Sequence, residues 1–294
     1  VGIAYSQGTV TVHAYANINE KSKTNLGGGE VLVHAQNMNK WANHEWITDE
    51  SRKDHSSVTA NEAKGGLFGT KYKVSYYADA YPADGYYFSQ WLNDAGENLA
   101  VKQNQPTTMQ EIEHSWVNSG NAEVHLYAIF RPVTVTGAST VTNISTTDLG
   151  GVGTGTVTFN VANADNGKDF TSSIEGAAGF KIIGEPTWTN NVVTITIQYT
   201  DQNKDGTNIA STKVTLTSKG DPNSKATATI YATSNLTPTF TKPADYNFGE
   251  IYVNDQKSSD EALYVITKNK AASQASPVSA GQTGAKWIAS ITGT

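Results

Sequence analysis

The strongest constraint on the fold of this chain is a strict alternation of apolar and hydroxyl-bearing residues between residues 134 and 235. Val193, Ile195 and Ile197 are separated by Thr194 and Thr196, and the same period recurs at residues 157–161, 214–217 and 226–230. A period of two places one side of each strand in a core and leaves the other in water. Clusters of Gly, Asn and Asp separate these runs. The segment therefore predicts an immunoglobulin-like β-sandwich of about 100 residues.

A change in composition marks the start of this segment. All six histidines precede residue 126, whereas residues 134–235 contain 22 of the 37 threonines and no histidine. So abrupt a change favours a domain boundary over drift within one core. We therefore expect a first domain at residues 1–133 and a second at residues 134–235.

A repeat accounts for the end of the chain. The Val157–Val161 run has a counterpart that begins at Leu263, 106 residues later, and Phe180 is matched by Trp287. Residues 236–294 are therefore expected to be part of a second immunoglobulin-like repeat within a longer modular protein. A small β appendage that packs on its neighbour is the alternative.

The first segment predicts a small mixed β domain with a four- or five-stranded sheet. Apolar alternation is clear at residues 124–130 and around the turn at residues 82–85. Residues 36–66 are polar and irregular, and they are interpreted as an insertion in which a short helix could form.

Four spaced elements give this segment a family resemblance. They are Gly28-Gly29-Glu30-Val31, the stretch from Gly69 to Val74, the turn and strand from Asp84 to Trp91, and Tyr127-Ala128-Ile129-Phe130. In this order they resemble the divergent internalin-type B-repeat over residues 8–132. The resemblance implies a β-grasp-like module of a bacterial surface or secreted protein. The insertion at residues 36–66 and Gln90, where glycine is common, depart from the family pattern.

The second segment is similar to bacterial immunoglobulin-like sandwich repeats. The similarity lies in the strand at residues 193–197, the turn at Asp205-Gly206, and the strands at residues 213–218 and 226–230. The resemblance implies a stalk, spacer or adhesive unit. Taken together, the fold class is expected to be mainly β, with a β-grasp-like domain followed by immunoglobulin-like sandwich repeats.

Composition excludes several classes of function. With no cysteine, the chain has neither disulfides nor thiolate metal sites. The net charge of −6 argues against an electrostatic hold on nucleic acid. No apolar run approaches the roughly 20 residues of a membrane-spanning helix.

Aromatic residues concentrate between residues 76 and 91. Tyr86, Phe88 and Trp91 occupy positions expected to build the core, which leaves Tyr77, Tyr81 and Tyr87 as candidates for exposed rings. Exposed rings can stack on sugar faces, and tyrosine adds a hydroxyl group for polar contacts. These three residues are the candidate ligand-binding set.

One loop has the spacing of a calcium site. Asp201, Asn203 and Asp205, followed by Gly206, match the opening of an EF-hand loop. Position twelve, however, is Thr212 instead of a bidentate glutamate. A metal-free hairpin turn of Asn, Asp and Gly explains the same residues. The sequence therefore leaves two alternatives at this loop: either the residues bind calcium, or the protein has no cofactor.

Two other groups of polar residues have weaker patterns. His44-Glu45 begins like a zinc-binding helix motif, but Thr48 replaces the second histidine; His34, His55, Asp49 and Asp54 could supply ligands instead. Glu111, Glu113 and His114 resemble an acid–base group without a cleft. No nucleophile or nucleotide motif is present, and we expect the protein not to be an enzyme.

The two resemblances imply an extracellular protein with a structural or adhesive role at a bacterial cell surface, and the lack of catalytic motifs predicts that it is not an enzyme. Its partners would be a host or matrix protein or glycan, together with neighbouring modules of the parent protein. The alternative is a carbohydrate-binding module that uses the tyrosine-rich face of the first domain.

Overall fold

The computed structural model describes residues 8–19, 25–39, 42–62, 64–65, 70–71, 74–99, 108–112, 122–148, 150–176, 178–202, 208–234, 239–241 and 265–268. Over these residues the protein is built from β-strands with one short 3-10 turn, Gly167–Asp169. The described part contains no α-helix, and the mainly-β fold class is confirmed. No helix in that part is long and apolar enough to cross a membrane.

The chain forms two compact units. Unit 1 comprises Val1–Thr134 together with two later segments, Ala162–Phe170 and Ser218–Ser224. Unit 2 comprises Val135–Val161, Thr171–Thr217 and Lys225–Thr294.

Unit 1 contains two sheets. The first, sheet A, has the strand order β4-β1-β11-β8-β9. Its strands are β1 (Gly8–Asn17), β4 (His55–Glu62), β8 (Tyr86–Leu92), β9 (Asn98–Leu99) and β11 (Ala122–Pro132). At its centre β1 pairs with β11 in parallel, whereas β4 and β8 are antiparallel to their neighbours.

The second sheet of unit 1, sheet B, has the order β10-β7-β2-β3 and is antiparallel throughout. Its strands are β2 (Gly29–Asn39), β3 (Ala42–Thr48), β7 (Val74–Pro82) and β10 (Thr108–Ile112). Two short strands, β5 (Lys64–Gly65) and β6 (Thr70–Lys71), pair separately.

Both sheets contribute to one core. Alternate residues of β1 and β11 face inward from sheet A, and alternate residues of β2 and β7 face them from sheet B. The buried set is Val10, Val12, Ala14, Ala16, Val31, Val33, Ala35, Ala60, Val74, Tyr76, Ala78, Ala80, Trp91, Leu126, Ala128 and Phe130. Most of these residues are alanine or valine, and Trp91, Phe130 and Tyr76 are the largest side chains among them.

The polar segment at residues 36–66 differs from the expectation of an insertion with a short helix. Residues 42–48 and 55–62 are strands, one at the edge of sheet B and the other at the edge of sheet A. Unit 1 therefore has two facing sheets where a single small sheet was expected. The β-grasp-like assignment is not confirmed.

Unit 2 is built on two further sheets, as expected for an immunoglobulin-like sandwich. One has the order β12-β14-β18-β16, with β17 also paired to β18. Its strands are β12 (Thr134–Thr142), β14 (Val152–Ala162), β16 (Phe180–Ile182), β17 (Thr187–Thr189) and β18 (Val192–Thr200). The other has the order β13-β20-β19-β15. Its strands are β13 (Ile144–Thr146), β15 (Phe170–Ile174), β19 (Asn208–Ser218) and β20 (Lys225–Ser234).

The alternation seen in the sequence of unit 2 matches its burial. Val157, Phe159 and Val161 of β14 are buried, as are Val193, Ile195 and Ile197 of β18. Beyond residue 235 the structure describes one antiparallel pair, β21 (Thr239–Thr241) and β22 (Val265–Lys268). The predicted partial repeat at residues 236–294 otherwise lies outside the described residues and stays a prediction.

Candidate functional site

The three candidate tyrosines lie on two different sheets. Tyr77 and Tyr81 are on β7 of sheet B, four residues apart and therefore on one face of that strand. Tyr87 is on β8 of sheet A, opposite Arg131 of β11. The structure brings the first two onto one surface and places the third elsewhere in unit 1.

The outer face of sheet B carries an exposed aromatic group. Trp46 of β3 is 39% exposed and meets Tyr77 edge to face, with 5.1 Å between ring centroids. Tyr77 in turn stacks on His34 of β2, at 4.2 Å between centroids. We call this surface, comprising His34, Trp46, Tyr77, Asp79, Tyr81 and Arg52, the tryptophan face.

Hydrogen bonds hold the histidine of this face in place. His34 Nε2 lies 3.1 Å from Asp79 Oδ2, and His34 Nδ1 lies 2.7 Å from Thr48 Oγ1. Both ring nitrogens are therefore engaged by neighbouring strands, and the imidazole is fixed against Tyr77. Burial raises the pKa of the Tyr77 hydroxyl, with smaller contributions in the same direction from Asp79 and Tyr81, so this ring stays protonated at neutral pH.

A cation completes the tryptophan face. The Arg52 guanidinium carbon lies 3.6 Å above the centroid of the Tyr81 ring, which is a cation–π contact. Arg52 is exposed, so its N–H groups stay open to water. The face thus combines aromatic surface with a donor-rich cation and the carboxylate of Asp79. Such a set suits contact with a polar ligand that also has an apolar surface.

The outer face of sheet A carries a second aromatic group, the ring ladder. His55, Tyr15 and Tyr127 lie side by side on β4, β1 and β11, and His13 and His125 form the next row. The rings of Tyr15 and His55 are 4.3 Å apart and those of Tyr15 and Tyr127 5.3 Å apart, with interplanar angles of 6° and 14°.

The stacking in the ring ladder determines what it can contact. The Tyr15 ring is stacked between the rings of His55 and Tyr127, and Tyr127 is itself buried, so the ladder leaves little ring face free. A sugar stacks on a free ring face, which makes the ladder a poorer saccharide surface than the tryptophan face. Cross-strand aromatic pairs of this kind stabilise a sheet by about 0.2–1 kcal/mol each.

Polar contacts link the edges of the ladder. His13 Nδ1 lies 3.1 Å from His55 Nε2, and the Tyr15 hydroxyl lies 3.4 Å from His125 Nδ1. The pKa of His13 is lowered, first by burial and then by the nearby His125 and His55, although Glu123 opposes this shift. Protonation of His13 is therefore disfavoured in the folded state.

The ring ladder was not predicted from the sequence, although the sequence contains a signal for it. Residues 12–16 and 124–128 both follow the pattern Val-His-x-Tyr-Ala. The structure pairs these two segments in parallel and in register, so that His13 faces His125 and Tyr15 faces Tyr127. The repeat could have been read as two neighbouring strands with matched outer faces.

The histidine cluster considered for residues 34–55 does not assemble from the side chains that are described. His34 lies on sheet B and His55 on sheet A. Asp49 instead accepts hydrogen bonds from Lys53 Nζ, at 3.0 Å, and from the backbone N–H of Ser57. Over the residues that the structure describes, no three metal-ligating side chains form a site. The side chains of His44, Glu111, Glu113 and His114 lie outside the described residues.

The candidate calcium loop is described at one of its three ligands. Asp201 is buried, and its backbone N–H donates to the Gly151 carbonyl at 2.8 Å. Asn203 and Asp205 lie outside the described residues, so calcium at this loop stays a prediction.

No protein-family model and no curated protein matches the sequence. Among solved structures, the major pilin SpaD from Corynebacterium diphtheriae aligns with a TM-score of 0.23 and 10% identity, covering 78% of this chain and 66% of SpaD. The chain thus spans just under two thirds of that protein.

A second pilin gives a similar result. BcpA, the major pilin subunit of Bacillus cereus, aligns with a TM-score of 0.20 and 9% identity, covering 80% of this chain and 70% of its own. A variant of BcpA aligns with the same score and identity over 82% and 74%. TM-scores at this level do not establish a shared fold.

Proposed function

We propose that this chain is a non-enzymatic, extracellular protein of a bacterial surface, with a structural and adhesive role. The tryptophan face carries this proposal. Trp46 is 39% exposed, and Tyr77 and His34 hold its surroundings rigid through stacking and two hydrogen bonds. A large aromatic side chain in fixed surroundings is a common anchor for binding, because little conformational entropy is lost when it is covered.

The architecture of the chain supports the structural part of the proposal. Unit 1 and unit 2 each consist of facing sheets with their own buried residues. Such β-modules serve as rigid spacers that present loops and sheet faces. Neighbouring modules of a longer parent protein would then be natural partners.

A glycan is the ligand class that the tryptophan face favours. Trp46 offers apolar surface to the C–H face of a sugar, and Arg52 and Asp79 offer a charged donor and a charged acceptor for hydroxyl groups. A host or matrix protein is the alternative ligand, because exposed tryptophan and arginine are also enriched where proteins bind each other.

The test is binding of the full chain to an array of glycans, mucins and matrix proteins. We expect Trp46→Ala to weaken the strongest signal about thirtyfold or more, since truncation of a central aromatic anchor costs about 2 kcal/mol or more. Tyr87→Ala on sheet A and Tyr231→Ala, which removes a 47% exposed ring from unit 2, are the matched controls and should bind like the native chain.

Each outcome of this experiment bears on the proposal. A glycan signal that depends on Trp46 supports the saccharide ligand, and a protein signal that depends on it supports protein-mediated adhesion. If Trp46→Ala and Tyr87→Ala lose binding equally, the tryptophan face is not the contact surface. If no signal appears on the array, the adhesive role is contradicted and only the structural role, as a spacer, is still supported.

A further inference from the structure

The edge strand β12 lacks the features that normally protect a sheet edge. It spans nine residues, Thr134–Thr142, and ends one sheet of unit 2 with β14 as its neighbour. Its sequence contains no charged residue and no proline. Natural proteins usually blunt such edges with charges, proline or a very short strand, because an open row of N–H and C=O groups pairs readily with another strand.

The other described edge strands differ from β12 in this respect. Strands β3, β4 and β10 each contain a glutamate, and β9, β13, β15 and β16 are five residues long or shorter. Among the described edges, β12 is therefore the long uncharged one.

The sequence of β12 is self-complementary. Read from either end, residues 134–142 give Thr-Val-Thr, then three small residues, then Thr-Val-Thr, with Ala138 at the centre. The two readings differ only in the exchange of Gly137 and Ser139. An antiparallel pair of two identical strands centred on Ala138 therefore sets valine opposite valine and threonine opposite threonine.

Backbone directions in β12 agree with such pairing. Thr140 turns its N–H and C=O toward β14, where both meet the Thr158 hydroxyl at 2.8 and 3.2 Å. Backbone groups alternate in direction along a strand, so Gly137 and Ser139 turn theirs toward the open edge. In a pair centred on Ala138 these two residues fall opposite each other and exchange hydrogen bonds.

We propose that β12 pairs in antiparallel orientation with β12 of a second copy of this chain, about a two-fold axis at Ala138. The two sheets become one continuous sheet across the interface, and the contact is isologous, as in most homodimers. Gly137 of each copy bonds Ser139 of the other, and Ala138 faces Ala138 in a pair without backbone hydrogen bonds. Thr136 and Thr140 line the same outer face on either side of the axis.

Cysteine cross-linking tests the register of this pair. The chain has no cysteine, so Ala138→Cys introduces a single thiol whose only close partner is its own copy. Cα atoms in such a pair are about 4.5 Å apart, within disulfide range. We expect a covalent dimer on mild oxidation of the full chain. Ser139→Cys, also exposed, places its thiols at diagonal positions about 7–8 Å apart and should cross-link much more slowly.

A charge exchange tests the same contact without oxidation. The native chain should reach a light-scattering mass of twice 31.4 kDa as its concentration rises. Ala138→Lys and Ala138→Asp should each stay monomeric, because like charges then meet at the axis. An equimolar mixture of the two should recover the dimer, because opposite charges meet instead. Circular dichroism of each variant confirms that it is folded.

Three results would overturn the proposal. They are a native chain that stays monomeric throughout the concentration series, a dimer that persists in both charged variants, and equal cross-linking rates for the two cysteine variants. If the native chain stays monomeric, β12 does not pair with a second copy, and a strand from a different protein becomes the remaining candidate partner. None of these results depends on the tryptophan face, so they leave the proposed adhesive role to its own test.

Discussion

His13 shows how the chemistry of a single side chain depends on residues far away in the chain. Its imidazole lies beside His55 of β4 and His125 of β11, with ring centroids 5.3 and 4.9 Å away. Protonation of His13 would place a positive charge in a half-buried site between two other imidazole rings. Its pKa is therefore lowered, and burial is the largest cause.

The lowered pKa of His13 predicts a stability that falls in mild acid. Below about pH 6.5, the unfolded chain takes up a proton at this position more readily than the folded chain does. The free energy of unfolding should thus decrease as the pH falls from about 7.5 to about 5.5. His13→Gln should show a smaller decrease, and urea midpoints at the two pH values measure the difference.

The control for this prediction is Ser57→Ala. Ser57 lies opposite His13 on β4 and does not titrate, so its removal should leave the pH dependence unchanged. If His13→Gln keeps the full pH dependence of the native chain, the effect belongs to other groups.

At the scale of the strand, burial of one face decides how much each residue contributes to the free energy of unfolding. Leu126 of β11 is 1% exposed and packs in the core shared by the two sheets of unit 1. Val152 of β14 is 58% exposed. Both residues lie in well-formed strands and have branched aliphatic side chains, yet only the first is surrounded by other side chains.

Truncation of these two residues should therefore have very different effects. Leu126→Ala should lower the free energy of unfolding by about 2–5 kcal/mol, because it removes buried methyl groups and leaves a cavity. Val152→Ala should change it by about 0.5 kcal/mol or less. Chemical denaturation followed by tryptophan fluorescence measures both. Similar losses in the two variants would contradict the assigned core.

At the scale of the whole molecule, unit 1 extends beyond its first 134 residues. The Asp169 carboxylate accepts a hydrogen bond from the Gly85 N–H at 2.9 Å, and the Tyr86 hydroxyl donates to the Gly220 carbonyl at 3.2 Å. Gly85 has a positive φ of 89°, and a Cβ there would lie 2.4 Å from the Gly220 backbone nitrogen. Glycine is thus required for this close approach.

These contacts predict that residues 1–133 alone are less stable than unit 1 in the longer chain. Removing Asp169 leaves the buried Gly85 N–H without its acceptor, which costs about 1–3 kcal/mol. For a chain of this size, each kcal/mol lowers the melting temperature by about 2–4 °C. Melting curves of residues 1–133 and 1–235, followed by the signal of unit 1 in circular dichroism and tryptophan fluorescence, test this.

Asp169→Ala in residues 1–235 is the matched variant, because it removes the same acceptor without shortening the chain. This variant should reproduce part of the decrease in melting temperature that is expected for residues 1–133. If residues 1–133 melt at the same temperature as unit 1 in the longer chain, the segments after residue 133 do not stabilise unit 1.

By itself, the sequence determined the mainly-β fold class and the strands of unit 2. Val193, Ile195 and Ile197 could be assigned to a core because alternation is a local property, set by the two-residue repeat of an extended backbone. The turn around Gly85 and the strand that contains Trp91 could be predicted from the sequence for the same reason. Tyr77 and Tyr81 could be placed on one face, since they are an even number of residues apart on one strand.

Only the tertiary structure decided which strands became neighbours. It placed Tyr87 on a different sheet from Tyr77, set Trp46 beside Tyr77, and aligned His13 with His125. These relations join residues that are distant in sequence, and strand alternation carries no information about which strands pair. Pairing depends on how two sheets cover a common core, and that is a property of the whole chain.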